Sequence, residues 1–259
     1  TYANGYKAYY YVTPAPLAEY LKEKYPEINC SARFSSASGV LGMGDMAISE
    51  SQLGFTDSTF FNIFGVEFIS GNKKQCLKDK NSIILSEKLA VKLFGSTDII
   101  GKSIRLNGKI ELTITAIIKD YPANSSISFS CLIPFDNIAS VSQLSTLWSN
   151  SSYSTYVKLN STNNIEALEK KITAELIKEK DYPETSTHNL YPIESVRLYT
   201  PDPNGFGLIN LVIFLISIAG FVLILACINF INLITARAAN RAMEVGIRKV
   251  VGSSKMQLV

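Results

Sequence analysis

Apolar residues change their spacing several times along this chain, and each change predicts an element. Leu17, Tyr20 and Leu21 recur at helical intervals between Thr13-Pro14 and Tyr25-Pro26. The spacing predicts a helix capped by Thr13, opened by Pro14 and stopped before Pro26. Aromatic and β-branched residues from Lys7 to Val12 predict a strand ahead of it, and Ile28 to Phe34 a strand after it. The order returns later: Ser154 to Leu159 reads as a strand, Ile165 to Lys178 as an amphipathic helix, and Asn189 to Leu198 as a strand. Ile165, Leu168, Ile172 and Leu176 form one side of that second helix. Two β-α-β units at the two ends of the region predict one subdomain built from both.

Between them, roughly Gln52 to Asn150, strand signals dominate. Asn107-Gly108 separates two runs in which Ile104, Leu106, Ile110, Leu112 and Ile114 alternate onto one face, the pattern of a hairpin with a type I′ turn. Ser86 is placed to cap a short helix through Leu89 and Leu93, which Gly95 ends. The block reads as an inserted, mainly β subdomain.

A third pattern begins at Pro203. From there to Ala236 run 34 residues without a charge, and the tail then holds Arg237, Arg241, Arg248, Lys249 and Lys255 against Glu244 alone. A bilayer core needs about 20 apolar residues in helical form, so 206–236 is expected to span a membrane. The basic residues mark the C-terminal end as cytoplasmic, which puts 1–202 outside and 237–259 inside. A core helix of a soluble protein rarely carries so long an uninterrupted stretch. A signal peptide would have the reverse polarity and an N-terminal position. Asn210, Ser217 and Gly220 fall within about 80 degrees of one another, a small and polar strip suited to helix association or to lipid contact. The chain starts at Thr1 without an apolar leader, so an earlier membrane segment is expected to precede it in the intact protein.

Charge adds one exclusion. Of 25 Lys+Arg and 22 Asp+Glu, the tail takes five and one, leaving 20 basic and 21 acidic residues before the span. The external region is nearly neutral and lacks the basic face that nucleic acid requires. Cys227 lies in the span, leaving Cys30, Cys76 and Cys131 outside at wide spacing. One disulfide with a leftover thiol and three small buried hydrophobes are both open.

Catalytic chemistry has little support. Gly95 to Gly101-Lys102-Ser103 resembles a phosphate-binding P-loop, but five residues separate the glycines where four are required, and the segment leads into a hairpin rather than a helix. His188 is the single histidine, forms no triad or zinc set, and reads as a solvated surface residue. Asp45, Glu50 and Asp57 make no pair that sequence can place face to face. No catalytic, cofactor-binding or metal-ligating residue is therefore assigned, and no enzyme activity is expected of this chain.

The tail is more specific. Arg237, Arg241, Glu244 and Arg248 share one helical face, with Met243, Ile247 and Val250 or Val251 on another. Glu244 can pair with Arg248, Gly252 suits a helix end, and Ser253 or Ser254 can cap a further helix from Lys255. Taken alone this is an interfacial helix on anionic lipid or a rigid extension of the span that docks on a partner. The run Arg241-Ala-Met-Glu244-Val-Gly246-Ile-Arg248-Lys249-Val-Val-Gly252-Ser-Ser254 resembles the signature just inside the second transmembrane helix of FtsX-like ABC transporter permeases. Thr13-Pro-Ala-Pro-Leu-Ala-Glu, Tyr25-Pro-Glu-Ile28, Phe60-Phe-Asn-Ile-Phe64 before Gly71-Asn72, Leu85-Ser-Glu-Lys-Leu-Ala, Leu93-Phe-Gly95 through Ile100-Gly-Lys102, and Lys119-Asp-Tyr-Pro-Ala-Asn-Ser-Ser126 are similar to MacB-like periplasmic domains.

The resemblance implies an α+β extracytoplasmic domain followed by one transmembrane helix in a bacterial inner membrane. Its Porter-type subdomain would comprise 1–51 and 151–202, its Sabre-type insertion 52–150. It implies a permease subunit paired with a second copy and with ABC-type ATPase subunits that bind the ATP, and it leaves room for a periplasmic adaptor. Arg241, Glu244, Gly246, Arg248, Lys249 and Gly252 would then couple the span to the ATPase, for efflux or mechanotransmission. The alternative is a membrane-anchored extracytoplasmic sensor, which would be followed by a signalling domain rather than by further spans.

Overall fold

A computed structural model describes residues 10–252, apart from 45, 123, 142–146, 149, 179–186, 197 and 200–206. It divides into two compact units, Thr1–Ile193 and Glu194–Val259.

The first unit is organised by one nine-stranded sheet. Its strands are β1 (Thr13–Pro14), β2 (Ile28–Met43), β3 (Met46–Thr56), β4 (Phe68–Gly71), β5 (Ser82–Ser86), β6 (Ser103–Leu106), β7 (Ile110–Ile118), β8 (Cys131–Pro134) and β9 (Ser151–Leu159). They lie in the order β1-β9-β2-β3-β8-β5-β7-β4, with β6 bridging β2 and β7. The helices are α1 (Leu17–Lys24), α2 (Phe60–Ile63), α3 (Glu87–Phe94) and α4 (Ile165–Leu176).

Strand alternation sorts the core onto the two sheet faces. Ile83, Leu85, Cys131 and Ile133 point to a cluster under α3 with Leu53, Phe55, Leu89, Leu93, Leu112 and Ile114. Ile84 and Leu132 point the other way, into a cluster of Phe34, Phe60, Phe61, Phe64 and Phe129. β5 and β8 are therefore buried on both sides. A third cluster joins the two ends of the region, packing Leu17, Leu21, Tyr25 and Ile28 against Leu168, Ile172 and Leu176.

Local signals formed as the residues dictate. Asn107 and Gly108 take φ of 52° and 69° at the β6–β7 turn, as a type I′ hairpin demands. The Ser86 hydroxyl accepts from Leu89 N–H at 3.3 Å, and Gly95 closes α3 in the left-handed region at φ 69°.

Three expectations change. Thr13 does not cap α1, because its hydroxyl donates to Tyr153 O at 2.9 Å while Thr13–Pro14 pairs with β9, so the helix begins only at Leu17. Of the strand expected over Lys7 to Val12, Lys7–Tyr9 lie outside the described residues and Tyr10–Val12 are not strand. The strand expected over Asn189 to Leu198 does not form among its described residues. Backbone donors there go to α4 side chains instead, His188 N–H to Thr173 Oγ1 at 3.0 Å and Leu190 N–H to Glu169 Oε1 at 2.6 Å. The second unit of the repeated pattern thus keeps its strand and helix, β9 and α4, without a closing strand. The expected start of the insertion, between 51 and 52, falls inside β3.

In the second unit one helix, α5, runs unbroken from Leu208 to Val250, 43 residues.

Candidate functional site

α5 carries all the site residues read from the sequence except Gly252, which follows it. At 1.5 Å per residue its 43 residues extend about 65 Å, twice the roughly 30 Å of a bilayer core. No residue of it is buried. Phe214, Ile216, Phe221, Leu223, Phe230 and Ile231 are each about 60 % exposed, a surface that water would not tolerate at this length. Among the described residues it is the one helix long and apolar enough to cross a membrane.

No break separates the apolar stretch from the basic tail. The boundary expected at 236/237 lies within continuous helix, so the two ends form one rigid rod. In the tail Arg248 pairs with Glu244 one turn away, and Arg241 lies within about 60 degrees of both on the same face. Lys249 is rotated about 80 degrees from Arg241 and Gly246 about 140 degrees, so those two are not part of that face. A Cβ at Gly246 would meet nothing within 4 Å. Gly252 has φ 93°, the left-handed stop that favours glycine. The capping expected of Ser253 or Ser254 lies outside the described residues.

Along the apolar part, Ser217 donates to Ile213 O at 2.8 Å, which satisfies its hydroxyl inside the helix. Thr235 does the same to Ile231 O at 2.8 Å and falls on the Asn210–Ser217 face by helical spacing. The sequence reading missed Thr235, although its position at a whole number of turns from Ser217 was available. Gly220 meets nothing within 4 Å of a built Cβ.

The first unit offers polar arrangements of a different kind. Arg33 on β2 binds Asp57 at the end of β3 through both guanidinium arms, with Nη2–Oδ1 at 2.7 Å and Nε–Oδ2 at 3.0 Å. Asp57 also accepts from Arg33 N–H at 2.8 Å. The guanidinium stacks 4.1 Å over the Phe135 ring and reaches Glu19 at 3.4 Å. Burial alone would lower its pKa; the Asp57 hydrogen bonds and the charges of Asp57, Glu19 and Asp136 outweigh that and raise it. Asp57 is thus half of a structural ion pair rather than of an acid/base dyad. The pair was invisible in the sequence because its partners are 24 residues apart.

Other candidates resolve similarly. His188 is half-buried rather than solvated, and desolvation lowers its pKa. Cys30, Cys76 and Cys131 are buried free thiols. Burial raises all three pKa values, that of Cys76 to about 11, which makes them small hydrophobes and poor nucleophiles. Gly101 has φ 84° and donates its N–H to Ile114 O at 2.8 Å, so the P-loop-like segment is a strand-side turn. Glu50 accepts from Ser51 and Gln52 N–H, and Asp45 lies outside the described residues. Among the described residues no group of His, Cys, Asp and Glu is arranged to hold a metal. A groove of about 400 Å³ opens between Ser35–Ser36, Ser126–Ser128 and Ser152–Ser154, and it brings together no titratable pair.

A sheet with α1 and α4 joined across it and a charge-free helix with a basic end point to one kind of protein, and comparison with known proteins decides which. The family model described as the MacB-like periplasmic core domain matches residues 3–175. The chain belongs to this family. A curated relative, the uncharacterized ABC transporter permease YknZ of Bacillus subtilis strain 168, is 25% identical over 249 residues. That alignment covers 95% of this chain and 55% of the relative, so the chain spans about half the relative's length. Among solved structures, a domain assigned to a permease protein of Porphyromonas gingivalis superposes with TM-score 0.57 at 25% identity, covering 68% of this chain and 75% of that one. The extracellular domain of the noncanonic ABC-type transporter YknZ from Gram-positive bacteria gives 0.51 at 18% identity, over 69% and 90%. The latter bears on fold alone. Homologues of this MacB-like chain are ABC transporter permeases, and here the family's domain is joined to a helix of membrane-crossing length and composition.

Proposed function

We propose that this chain is the extracytoplasmic domain, one span and the coupling segment of a permease subunit of the MacB/FtsX type. ATP would be bound and hydrolysed by a separate ABC-type ATPase, and the permease would carry the resulting movement to the domain outside. The single observation that supports this most is the unbroken α5 rod, apolar to Ala236 and basic beyond it. A rod of about 65 Å is long enough to cross a bilayer core of roughly 30 Å and still project from it. With the basic end cytoplasmic, residues 1–202 lie outside a bacterial inner membrane, as Porter-type (1–51, 151–202) and Sabre-type (52–150) subdomains.

In this reading Arg241, Glu244 and Arg248 present one charged face to the ATPase, and Lys249, Gly246 and Gly252 shape the segment's other side and its end. Asn210, Ser217 and Gly220 face a neighbouring helix, and a second copy of the permease completes the assembly. The movement would serve efflux or mechanotransmission, with room for a periplasmic adaptor.

Affinity purification of the tagged full-length protein from its own membrane, with mass spectrometry of what stays bound, tests this. Recovery of an ABC-type ATPase that Glu244→Lys releases is the expected result. A solubilised, folded sample that carries a kinase or cyclase and no such ATPase would overturn the reading in favour of a sensor.

A further inference from the structure

The turn between β4 and β5 displays four lysines, Lys73, Lys74, Lys78 and Lys80, all exposed, with Asp79 as its only acid. Among the described residues none of the four ammonium groups makes an ion pair. Asp79 is occupied locally, since its Oδ1 accepts from Asn81 N–H at 2.8 Å.

A merely solvated loop would need no fixed shape, yet this one is held at many points. Gly71 enters it at φ 100°, with its backbone pressed against Ala116 so closely that a Cβ would stand 2.5 Å from the Ala116 Cβ. Asn72 O accepts from both Gln75 and Cys76 N–H at 3.0 Å. Cys76 and Leu77 are buried beneath, and Thr115 Oγ1 donates to Cys76 O at 2.6 Å. Asn137 Nδ2 donates to Lys80 O at the far side. The lysine stems therefore stand on a preorganised base, which reduces the ordering cost of binding.

The chemistry selects the occupant. The turn exposes no apolar side chain, because its two are turned inward, whereas a protein interface has an apolar centre and few lysines. Ammonium groups are compact, hydrated point charges with no fixed pairing geometry, suited to a polymer whose charges are closely spaced and diffuse. Position adds to this. β4, which leads into the turn, is an edge strand paired with β7 alone.

We propose that the Lys73–Lys80 turn is a docking surface for a phosphate polymer in the extracytoplasmic space. The probe is inorganic polyphosphate, titrated against the full-length protein in nanodiscs of neutral lipid at several salt concentrations. Replacing the four lysines with Gln is expected to weaken binding at least tenfold and to lower the log–log salt slope by about 3, about 0.7 for each of the lost contacts. The four-fold Arg variant should bind within about twofold of the parent. Gln at Lys88, Lys92, Lys102 and Lys109, an equal loss of charge elsewhere, should leave binding intact. Splitting the change into Lys73/Lys74 and Lys78/Lys80 pairs should divide the loss. The proposal fails if the control set weakens binding as much, or if polyglutamate of equal charge binds as tightly, which would indicate an acidic protein. It fails also if phosphatidylglycerol vesicles bind and polyphosphate does not, which would indicate a lipid surface.

Discussion

Phe60 and Phe221 are the same residue in opposite circumstances. Phe60 is fully buried, its ring 4.4 Å from Phe64 and within 6 Å of Phe34, Phe61 and Phe129. Phe221 is 62% exposed on a helix that buries nothing. In the first unit an apolar side chain finds its partners inside the fold, sorted by strand alternation onto two sheet faces. In α5 the apolar surface is turned outward all round, so its partner must be a solvent that is itself apolar. The difference teaches that hydrophobicity here has two functions, closure of a domain and solubility in a membrane. Each can be disrupted without the other.

The largest effect follows from exchanging these circumstances. Phe60→Ala should reduce the unfolding free energy of the domain by about 3–5 kcal/mol, since its cage of rings cannot collapse onto the space. Phe221→Ala should leave the same transition within about 0.5 kcal/mol. Urea titration of the protein in nanodiscs, read by the fluorescence of Trp148, measures both. Trp148 is the only tryptophan and packs 5.3 Å from Tyr20 beside the α1–α4 cluster. Equal losses would break the comparison.

The converse exchange is a charge. Ile224→Asp, near the middle of the apolar stretch, should raise the cost of membrane insertion by about 2.5–3.5 kcal/mol, read as the fraction of chain released by alkaline extraction. Val91→Asp, at a half-exposed position of α3, should alter neither insertion nor unfolding by more than about 0.5 kcal/mol.

A polar contact of the first unit ranks next. Asp57→Asn removes the carboxylate that takes both arms of Arg33 while leaving the guanidinium half-buried over Phe135. The expected loss is about 1.5–3 kcal/mol in the same urea titration. Glu244→Gln, which removes an exposed pair on α5, should cost less than about 0.5 kcal/mol. A loss at Asp57 as small as at Glu244 would mean that the buried pair contributes no more than an exposed one.

What the sequence made legible follows the range over which each signal acts. The Ser86 cap, the Gly95 stop and the Asn107-Gly108 turn are each set within a few residues, and the structure has them where the pattern puts them. The failures are long-range. Thr13 is a good capping residue whose hydroxyl is claimed by Tyr153, 140 positions away. The segment after His188 alternates like a strand, but Thr173 and Glu169 take its backbone donors. Arg33 and Asp57 have no local signature as a pair. The charged face of α5 needed only helical spacing, so its residues were readable, and the displacement of Gly246 and Lys249 from that face follows from the same count.

The smallest effect is a pH dependence, and it tests whether the two ends of the first unit act as one. Tyr25 closes α1 and donates from its hydroxyl to Glu175 Oε2 on α4 at 2.7 Å. Burial, then this bond, raises the Tyr25 pKa; the same bond, then Lys24, lowers that of Glu175. A carboxylate with a depressed folded pKa stabilises above its ordinary value of about 4.3 and loses that contribution as pH falls through the folded value. A phenol with a raised folded pKa stabilises below about 10 and loses its contribution as pH rises beyond. The stability difference between the parent and Tyr25→Phe should therefore be largest between about pH 5 and 9 and should narrow toward both extremes. Melting temperatures of the two proteins from about pH 3 to about pH 11 measure it. A difference that stays constant from pH 3 to pH 11 would show that the hydroxyl contributes by packing alone, and that the clasp between α1 and α4 is apolar.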